Sequence, residues 1–450
     1  MTSKKCEKLF RDPVHNVIHF NLADEVEALL LELIDSAPLQ RLRHIKQLGL
    51  AYFVYHGAEH SRFGHSLGCT HMTRRLFYAA NGGRATSAFD RAVVLCSALL
   101  HDVGHAPFSH AFETSMETIQ PFAHERVSEQ LILWEDGEVY KTLAAFDAEL
   151  PAEVAACISH RSKRWYGGII SGQLDADRMD YILRDGWMTG VKNYMYDADR
   201  IIEMLDRDEQ GPVVGARAIQ AVESYLLSRF HMYQQVYHHK AVRGGEKLVE
   251  AIFKRLAQCY RRGDDFLGSG SMATILRELL EGRPLDPANY IRVSDNHAWV
   301  AIDEWSQSAD ACLADLAKRL MRRRFFKTVE ITPERLAFFH LHYDEIAELC
   351  RSAGFAPEYY LALDSAQNRA FAPYAPPPAP TLPFAGQSIE AAMNDDIRIK
   401  QGDGTVRSIQ DVSPIVKMLT QVYSHIVRSC FPEELRPELL KFFKEKQIIP

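Results

Sequence analysis

A mainly α protein with small β arms is the fold class this sequence predicts, on three observations. Apolar residues recur at helical spacing through most of the 450 residues. Only three short stretches, RDPVHNVIHF (11–20), IIEMLDRDEQGPVVGAR (201–217) and IRIKQGDGTVRSI (397–409), read as paired extended segments. No internal repeat is visible, so the helices belong to one large bundle or to two or three domains rather than to a solenoid.

The elements follow in order. The 11–20 stretch alternates like a hairpin arm. From Asp24 to Leu50 the pattern turns helical, first through Val26, Leu29, Leu30, Leu33 and Ile34, then through Leu39, Leu42, Ile45 and Leu48, with Pro38 between the runs and Gly49 closing the second. YFVYHGAEHSRFGHSLGCTH (52–71) leads from a loop into a helix and carries His56, His60, His65 and His71 around Arg62. An apolar helix then runs into ALLHDVGHAPFSHAFE (98–113), and His124–Glu125 open another helix. The acidic Gln-Gly turn within 201–217 separates two short strands. A long helix is expected over 218–240, with further helices over 245–262, 271–282 and 298–322. YAPPPAPTLP (374–383) marks a proline-rich linker, placed at 371–386. It divides a helical unit, 1–370, from a C-terminal accessory unit, 387–450, read as a hairpin turning at Asp403–Gly404 and a last helix through Val416–Val427.

Composition excludes several classes. Apolar content of 47% and charged content of 25% are those of an ordinary globular chain. A net charge of −7 opposes broad nucleic-acid binding, which runs on phosphate neutralisation by Lys and Arg. Eight scattered cysteines without a CxxC pair favour reduced thiols in a cytoplasm. The start, MTSKKCEKLFRDP, lacks a signal-type apolar core, and no run of 18 apolar residues exists, so a soluble cytoplasmic protein without a membrane partner is expected.

The chemistry concentrates in two stretches. Within 98–113 stand His101, Asp102, His105, His110 and Glu113, where an apolar helix ends; buried imidazoles and carboxylates need partners, and a metal ion is one. On a continued helix His101 and His105 would share a face, while Gly104 and Pro107 mark where plain helix stops. In GQLDADRMDYILRD (172–185), Asp177, Tyr181 and Asp185 recur at i, i+4 and i+8 along one face, with Met179, Ile182 and Leu183 on another. A solvated charge run has no use for a tyrosine flanked one turn each way by aspartates. A divalent metal needs three or four converging N/O ligands with a position left open. His65, His101, Asp102 and Asp177 are the set chosen, which suits Mn, Fe, Zn, Ni or Mg without deciding among them.

The succession RDPVHNVIHF, QRLRHIKQLG, SRFGHSLG, HDVGHAPFSH, HE, LDADRMDYILRD and YQQVYHHK, spanning residues 8 to about 260, resembles the HD-domain metal-dependent phosphohydrolases. The nearer likeness is to the deoxynucleoside triphosphate triphosphohydrolases, the group of bacterial dGTPases and the human SAM-and-HD-domain dNTPase. The resemblance implies a large helical HD-domain bundle with the nucleotide site in 1–370. It implies one divalent ion on His65, His101, Asp102 and Asp177, with additional Mg accompanying the nucleotide. His110 matches the acid that protonates the leaving 5′-oxygen, Glu113 its acidic helper, and His105 and His124 the histidines around the α-phosphate. Arg62, Arg178, Arg229 and Lys240 match residues that grip the triphosphate. Gln47 and Asp185 match contacts to the 3′-hydroxyl, Leu48 and Tyr181 the walls that exclude a 2′-hydroxyl, and Tyr237 and His239 residues beside sugar and base. The implied reaction is water attack at the α-phosphorus, yielding 2′-deoxynucleoside and inorganic triphosphate. Charge supports this: a triphosphate carries about four negative charges, which several cations and a metal would offset.

The resemblance also implies a homo-oligomer, dimer or tetramer, and an effector site for a dNTP or GTP at Asp35, Gln40 and Arg43. An asparagine of that site aligns with Arg11 here, and no SAM-type segment precedes the HD motifs. Asp35–Arg43 read equally as a helix boundary. Two other classes remain: an HD-type phosphodiesterase or phosphatase for other nucleotides, against which Gln47, Leu48 and Tyr181 speak, and a nucleotide-sensing binding protein, against which the intact ligand set and His110–Glu113 speak.

Overall fold

Helices that begin at side-chain caps and bury one apolar face build the bundle. The computed structural model describes residues 7–117, 119–369 and 396–450. Asp24 caps Glu25–Asp35 by accepting from the amides of Val26 and Glu27. Ser87 caps Ala88–Leu100, and Asp175 caps Ala176–Thr189. The helix Arg62–Asn81 lies between these last two and packs on both. Gly68 makes the approach possible: a Cβ there would fall 2.0 Å from an Asp180 carboxylate oxygen. One main core, including Leu30, Leu99, Leu100, Met179, Ile182 and Leu248, runs through the bundle.

The N-terminal stretch forms the expected hairpin, Glu7–Asp12 with Asn16–Asn21, in register Glu7↔Asn21 to Asp12↔Asn16. Its turn is closed by Asp12 Oδ1, which accepts from the amides of Val14 and His15 at 2.9 Å each. The 201–217 stretch forms strands Leu205–Asp208 and Gly211–Gly215.

Four expectations need correction. The helix before the His-Asp pair stops at Leu100, and His101–Gly104 continue as turns. Gly104 lies where a Cβ would meet the His124 carbonyl at 2.2 Å, so another segment occupies the place of a further helical turn. The helix expected over 218–240 ends at Met232, widens into a π-turn over Tyr233–Tyr237 and breaks before Lys240–Arg261. The break re-aims the chain so that Gly244 approaches the Phe326 carbonyl, where a Cβ would come within 2.3 Å. The 298–322 helix is two, Asp295–Ser306 and Ala311–Met321, the second capped by Asp310.

The last correction concerns the C-terminal unit. Its hairpin, Arg398–Lys400 with Val406–Ser408, forms as expected but extends the sheet of 205–215 through parallel pairing Val214↔Ile399. The helix expected through Val427 ends at Leu419, and Tyr423–Phe431 becomes the central strand between Lys327–Ile331 and Ala362–Arg369. Val427, Arg428, Ser429, Cys430 and Phe431 are buried in unbroken succession there, which a strand covered on both faces permits and a lone amphipathic helix would not. Strands of residues 396–450 thus pair with 211–215, 327–331 and 362–369. The linker, 371–386, lies outside the described residues.

Candidate active site

The loop after Leu100 is clamped from four sides. Ser128 Oγ donates to the His101 carbonyl at 2.8 Å and accepts from the Gly104 amide at 2.9 Å. The buried Arg41 guanidinium donates to the carbonyls of Val103 and His105, and Tyr290 Oη donates to that of Gly104. Asp295 Oδ1 accepts from the Phe108 amide at 3.0 Å. Phe108 and Ser109 both take positive φ, 59° and 50°, a strained conformation for residues with side chains that the surrounding bonds hold in place.

The chosen metal ligands converge. His65 Nε2 lies 2.9 Å from Asp177 Oδ1, 3.2 Å from His101 Nε2 and 3.9 Å from Asp102 Oδ2. Asp102 Oδ1 is 3.3 Å from His101 Nε2. The tautomers follow from the outer nitrogens. His65 Nδ1 donates to Asp180 Oδ2 at 2.8 Å, and His101 Nδ1 donates to the Ala98 carbonyl at 2.8 Å. With Nδ1 committed on both rings, the two Nε2 atoms face each other at 3.2 Å between two carboxylates. Such a nest of two imidazoles and two carboxylates favours positive charge within it and is a donor set that divalent ions accept. Electrostatics agree: burial opposes charge on His65, but bonds to Asp177 and Asp180 outweigh it and lift its pKa to about 10. Arg62, itself buried, closes the nest by donating to Asp102 Oδ2 at 2.6 Å and to Ser109 Oγ at 3.0 Å.

Asp102 also begins the second cluster. Its Oδ1 lies 3.2 Å from His105 Nε2, and the His105 ring stacks on that of His124 at 3.7 Å and 17°. Burial, then Arg62 and His124, hold His105 well below the usual histidine range, so it is neutral. Glu113 serves two imidazoles: Oε1 is 2.7 Å from His124 Nδ1 and Oε2 is 3.1 Å from His110 Nδ1. Burial would raise the Glu113 pKa, but bonds to His110 and His124 carry it far below the carboxylate range. Partial burial opposes charge on His124 as well, yet Glu113 raises its pKa. His110, at the start of the short helix His110–Met116, keeps 71% of its side chain exposed.

The remaining expected residues divide into three groups. Tyr181 stands with its ring 6.5 Å from that of His65 and 6.0 Å from that of Tyr237. Asp185 is held by His60 Nε2 at 2.7 Å and Tyr237 Oη at 2.9 Å. The Gln47 backbone amide donates to the His60 carbonyl, its backbone carbonyl accepts from Arg62, and Leu48 packs against the core beside it. Arg178 bonds the Gly172 carbonyl and Asp175, and Arg229 donates to Gln173 Oε1 at 3.0 Å, so both cations are tied to the loop before the Asp177 helix. His239 sits edge-on to Tyr55, and Lys240 is exposed on the first turn after it. Asp35, Gln40 and Arg43 form a separate group: Gln40 donates to the Ile34 carbonyl, Arg43 donates to Gln40 and lies 3.6 Å over the Phe63 ring, and Asp35 is exposed.

Sequence reasoning missed the support behind the nest. Asp180, fully buried, bonds His65, His15 and Arg184, and Arg184 continues to Asp12 at 2.9 Å. An aspartate on the core face beside Met179, with an arginine four residues on, was the available signal. His60 and Ser109 were in view within their motifs but carried no role.

A helical bundle presenting a buried His/Asp nest beside a carboxylate-backed histidine defines a metal-binding hydrolase. Comparison with known proteins names the family. The HD domain model matches residues 62–202, and the HD associated region model matches 196–264. An uncharacterised protein of Bacillus subtilis (strain 168), YwfO, is 36% identical over 374 residues, covering 82% of each chain. The Gallus gallus deoxynucleoside triphosphate triphosphohydrolase SAMHD1 is 27% identical over 366 residues, 73% of this chain and 57% of that one. The crystal structure of a phosphohydrolase from Bacteroides thetaiotaomicron VPI-5482 superposes with a TM-score of 0.77 at 27% identity, covering 95% of this chain and all of that one. The chain belongs to the HD-domain phosphohydrolases. No helix among the described residues is long and apolar enough to cross a membrane.

Proposed function

We propose that this chain hydrolyses 2′-deoxynucleoside triphosphates to the 2′-deoxynucleoside and inorganic triphosphate. The observation that carries the reading is the adjacency of the two clusters: the nest and the His110–Glu113–His124 group are joined through Asp102 and His105, so a phosphoryl group between them would meet both. The name borne by the 27% identical relative supports the same substrate class.

A divalent ion on His65, His101, Asp102 and Asp177 supplies, when bound, a Lewis acid for a phosphoryl oxygen and a water of lowered pKa. The chain does the rest. The water oxygen bonds to the α-phosphorus and releases its proton to solvent as the bond to the 5′-oxygen breaks. With Nδ1 committed to Glu113, His110 gives its Nε2 proton to that departing oxygen. Neutral His105 and protonated His124 face the transferred group, one as a hydrogen-bond partner and one as a positive charge. Arg62 balances the charge of Asp102. Arg178, Arg229 and Lys240 are assigned to the phosphate tail, with Mg accompanying it, and Gln47, Leu48, Tyr181, Asp185, Tyr237 and His239 to the sugar and base. Asp35, Gln40 and Arg43 are assigned to a dNTP or GTP effector between copies of a homo-oligomeric dimer or tetramer, acting in the cytoplasm.

Incubating the metal-loaded protein with each dNTP and NTP, and separating products by chromatography, tests the reading. Deoxynucleoside with inorganic triphosphate is the expected outcome. Monophosphate with pyrophosphate, or turnover of phosphodiesters alone, would replace it with the broader phosphohydrolase assignment.

A further inference from the structure

The N-terminal hairpin and the Asp177 helix meet behind the nest, and what they build there has no part in the chemistry just described. Asp180 is fully buried, three residues past Asp177 on the same helix. Its Oδ2 accepts from His65 Nδ1 at 2.8 Å and Arg184 Nε at 2.8 Å. Its Oδ1 lies 2.6 Å from His15 Nε2 and 3.0 Å from the second Arg184 nitrogen. Arg184 reaches on to Asp12 Oδ2, in the residue whose other oxygen closes the hairpin turn. Gly68, one turn beyond His65, leaves the room: a Cβ there would lie 2.0 Å from Asp180 and 2.2 Å from Arg184.

We propose that Asp180, itself held by His15 and Arg184, is a positioning residue that sets the tautomer and ring orientation of His65 so that Nε2 offers its lone pair to the metal. The inference rests on the metal-centre reading above. A carboxylate only accepts, so the His65 Nδ1 facing Asp180 carries a proton, and with Nδ1 so committed Nε2 is the nitrogen that would give up its proton when a metal binds. Four donors converge on Asp180, two of them from Arg184, and this leaves it little freedom to rotate. His15 adds a donor from the hairpin, which gives the RDPVHN stretch a purpose beyond capping the bundle. Partners of this kind commonly change metal affinity by 10–100-fold when removed.

The test measures Mn²⁺ and Co²⁺ binding to the full chain by chelator competition, with the Co²⁺ visible spectrum and the rise in Tm on metal addition as readouts independent of turnover. Asp180→Asn should weaken binding by about 10–100-fold, alter the Co²⁺ spectrum and shrink the metal-induced rise in Tm. His15→Ala, which leaves the helix untouched, should move all three in the same direction by less. Unchanged affinity and spectrum in a folded Asp180→Asn would overturn the proposal, even with a lowered Tm in both apo and loaded forms. If Asp180→Asn does not fold, wild-type binding by His15→Ala overturns it instead. Failure of the metal-centre reading looks different: wild type takes up no metal, or His65→Ala binds it as well as wild type does.

Discussion

The two ends of the HDVGHAPFSH stretch carry the same residue types in opposite settings. At His101–Asp102 the partners His65, Arg62 and Asp180 are sunk in the bundle with Asp102 itself, while Asp177 is half-buried. At His110 the ring stands 71% exposed on the first turn of a short helix, tied by a single acid that it shares with His124. The buried end holds imidazoles and carboxylates in a fixed array that favours positive charge. The open end holds a proton where a substrate can take it. Depth thus separates binding a charge from transferring one, since a rigid nest needs low freedom and a donor needs access.

The harshest way to break the contrast is at the buried end. Asp102→Ala removes a ligand and leaves Arg62 as an uncompensated buried cation, so metal content by elemental analysis should fall to background and turnover with it. Helical circular dichroism should persist while Tm drops, since breaking a buried pair costs about 3–5 kcal/mol. Full metal occupancy in that variant would remove Asp102 from the centre.

At the open end, His110→Ala should spare metal content but lower kcat by about 10²–10⁴-fold, the usual contribution of a positioned acid. An α-linked p-nitrophenyl ester, whose leaving group needs no proton, should recover much of the rate. Equal loss on both substrates would pass the acid role to His124 or His105.

Between the ends, Tyr181 can be tested for its place in the sugar wall. Tyr181→Ala should raise the ratio of GTP to dGTP turnover by about 10–100-fold, the scale of a lost steric contact. An unchanged ratio would take the wall away from Tyr181.

The smallest effect is one of pH. Glu113 is held below its ordinary 4.5 and His124 above its ordinary 6.5. Stability from the acid is present above pH 4.5 and is lost as pH falls through its lowered folded value. Stability from the imidazole is complete below pH 6.5 and is lost as pH rises through its raised folded value. Wild type should therefore exceed Glu113→Gln in Tm most between pH 4.5 and 6.5, on the order of 2 °C, with the gap closing on the alkaline side. A gap that widens with alkaline pH would show that Glu113 does not hold a charged His124.

Periodicity and motif spacing were enough to read the helical class, the three short antiparallel strand pairs and the four residues that converge in the nest, because helix spacing and turn chemistry are local properties of a chain. The same local reasoning carried the helix too far at Leu100, where the His124 carbonyl sits under Gly104, and at Met232, where the chain widens into the π-turn before a new helix starts at Lys240. It also read 416–427 as helix, since a short apolar run becomes a central strand only when partners from 327–331 and 362–369 flank it. Glu113 was legible as a partner of His110 three residues away, but its second bond, to His124, crosses between helices. His15 and Asp180 lie 165 residues apart in sequence. No period or composition links them, and only the folding of the hairpin onto the Asp177 helix brings a carboxylate behind His65 and decides which ring nitrogen faces the metal.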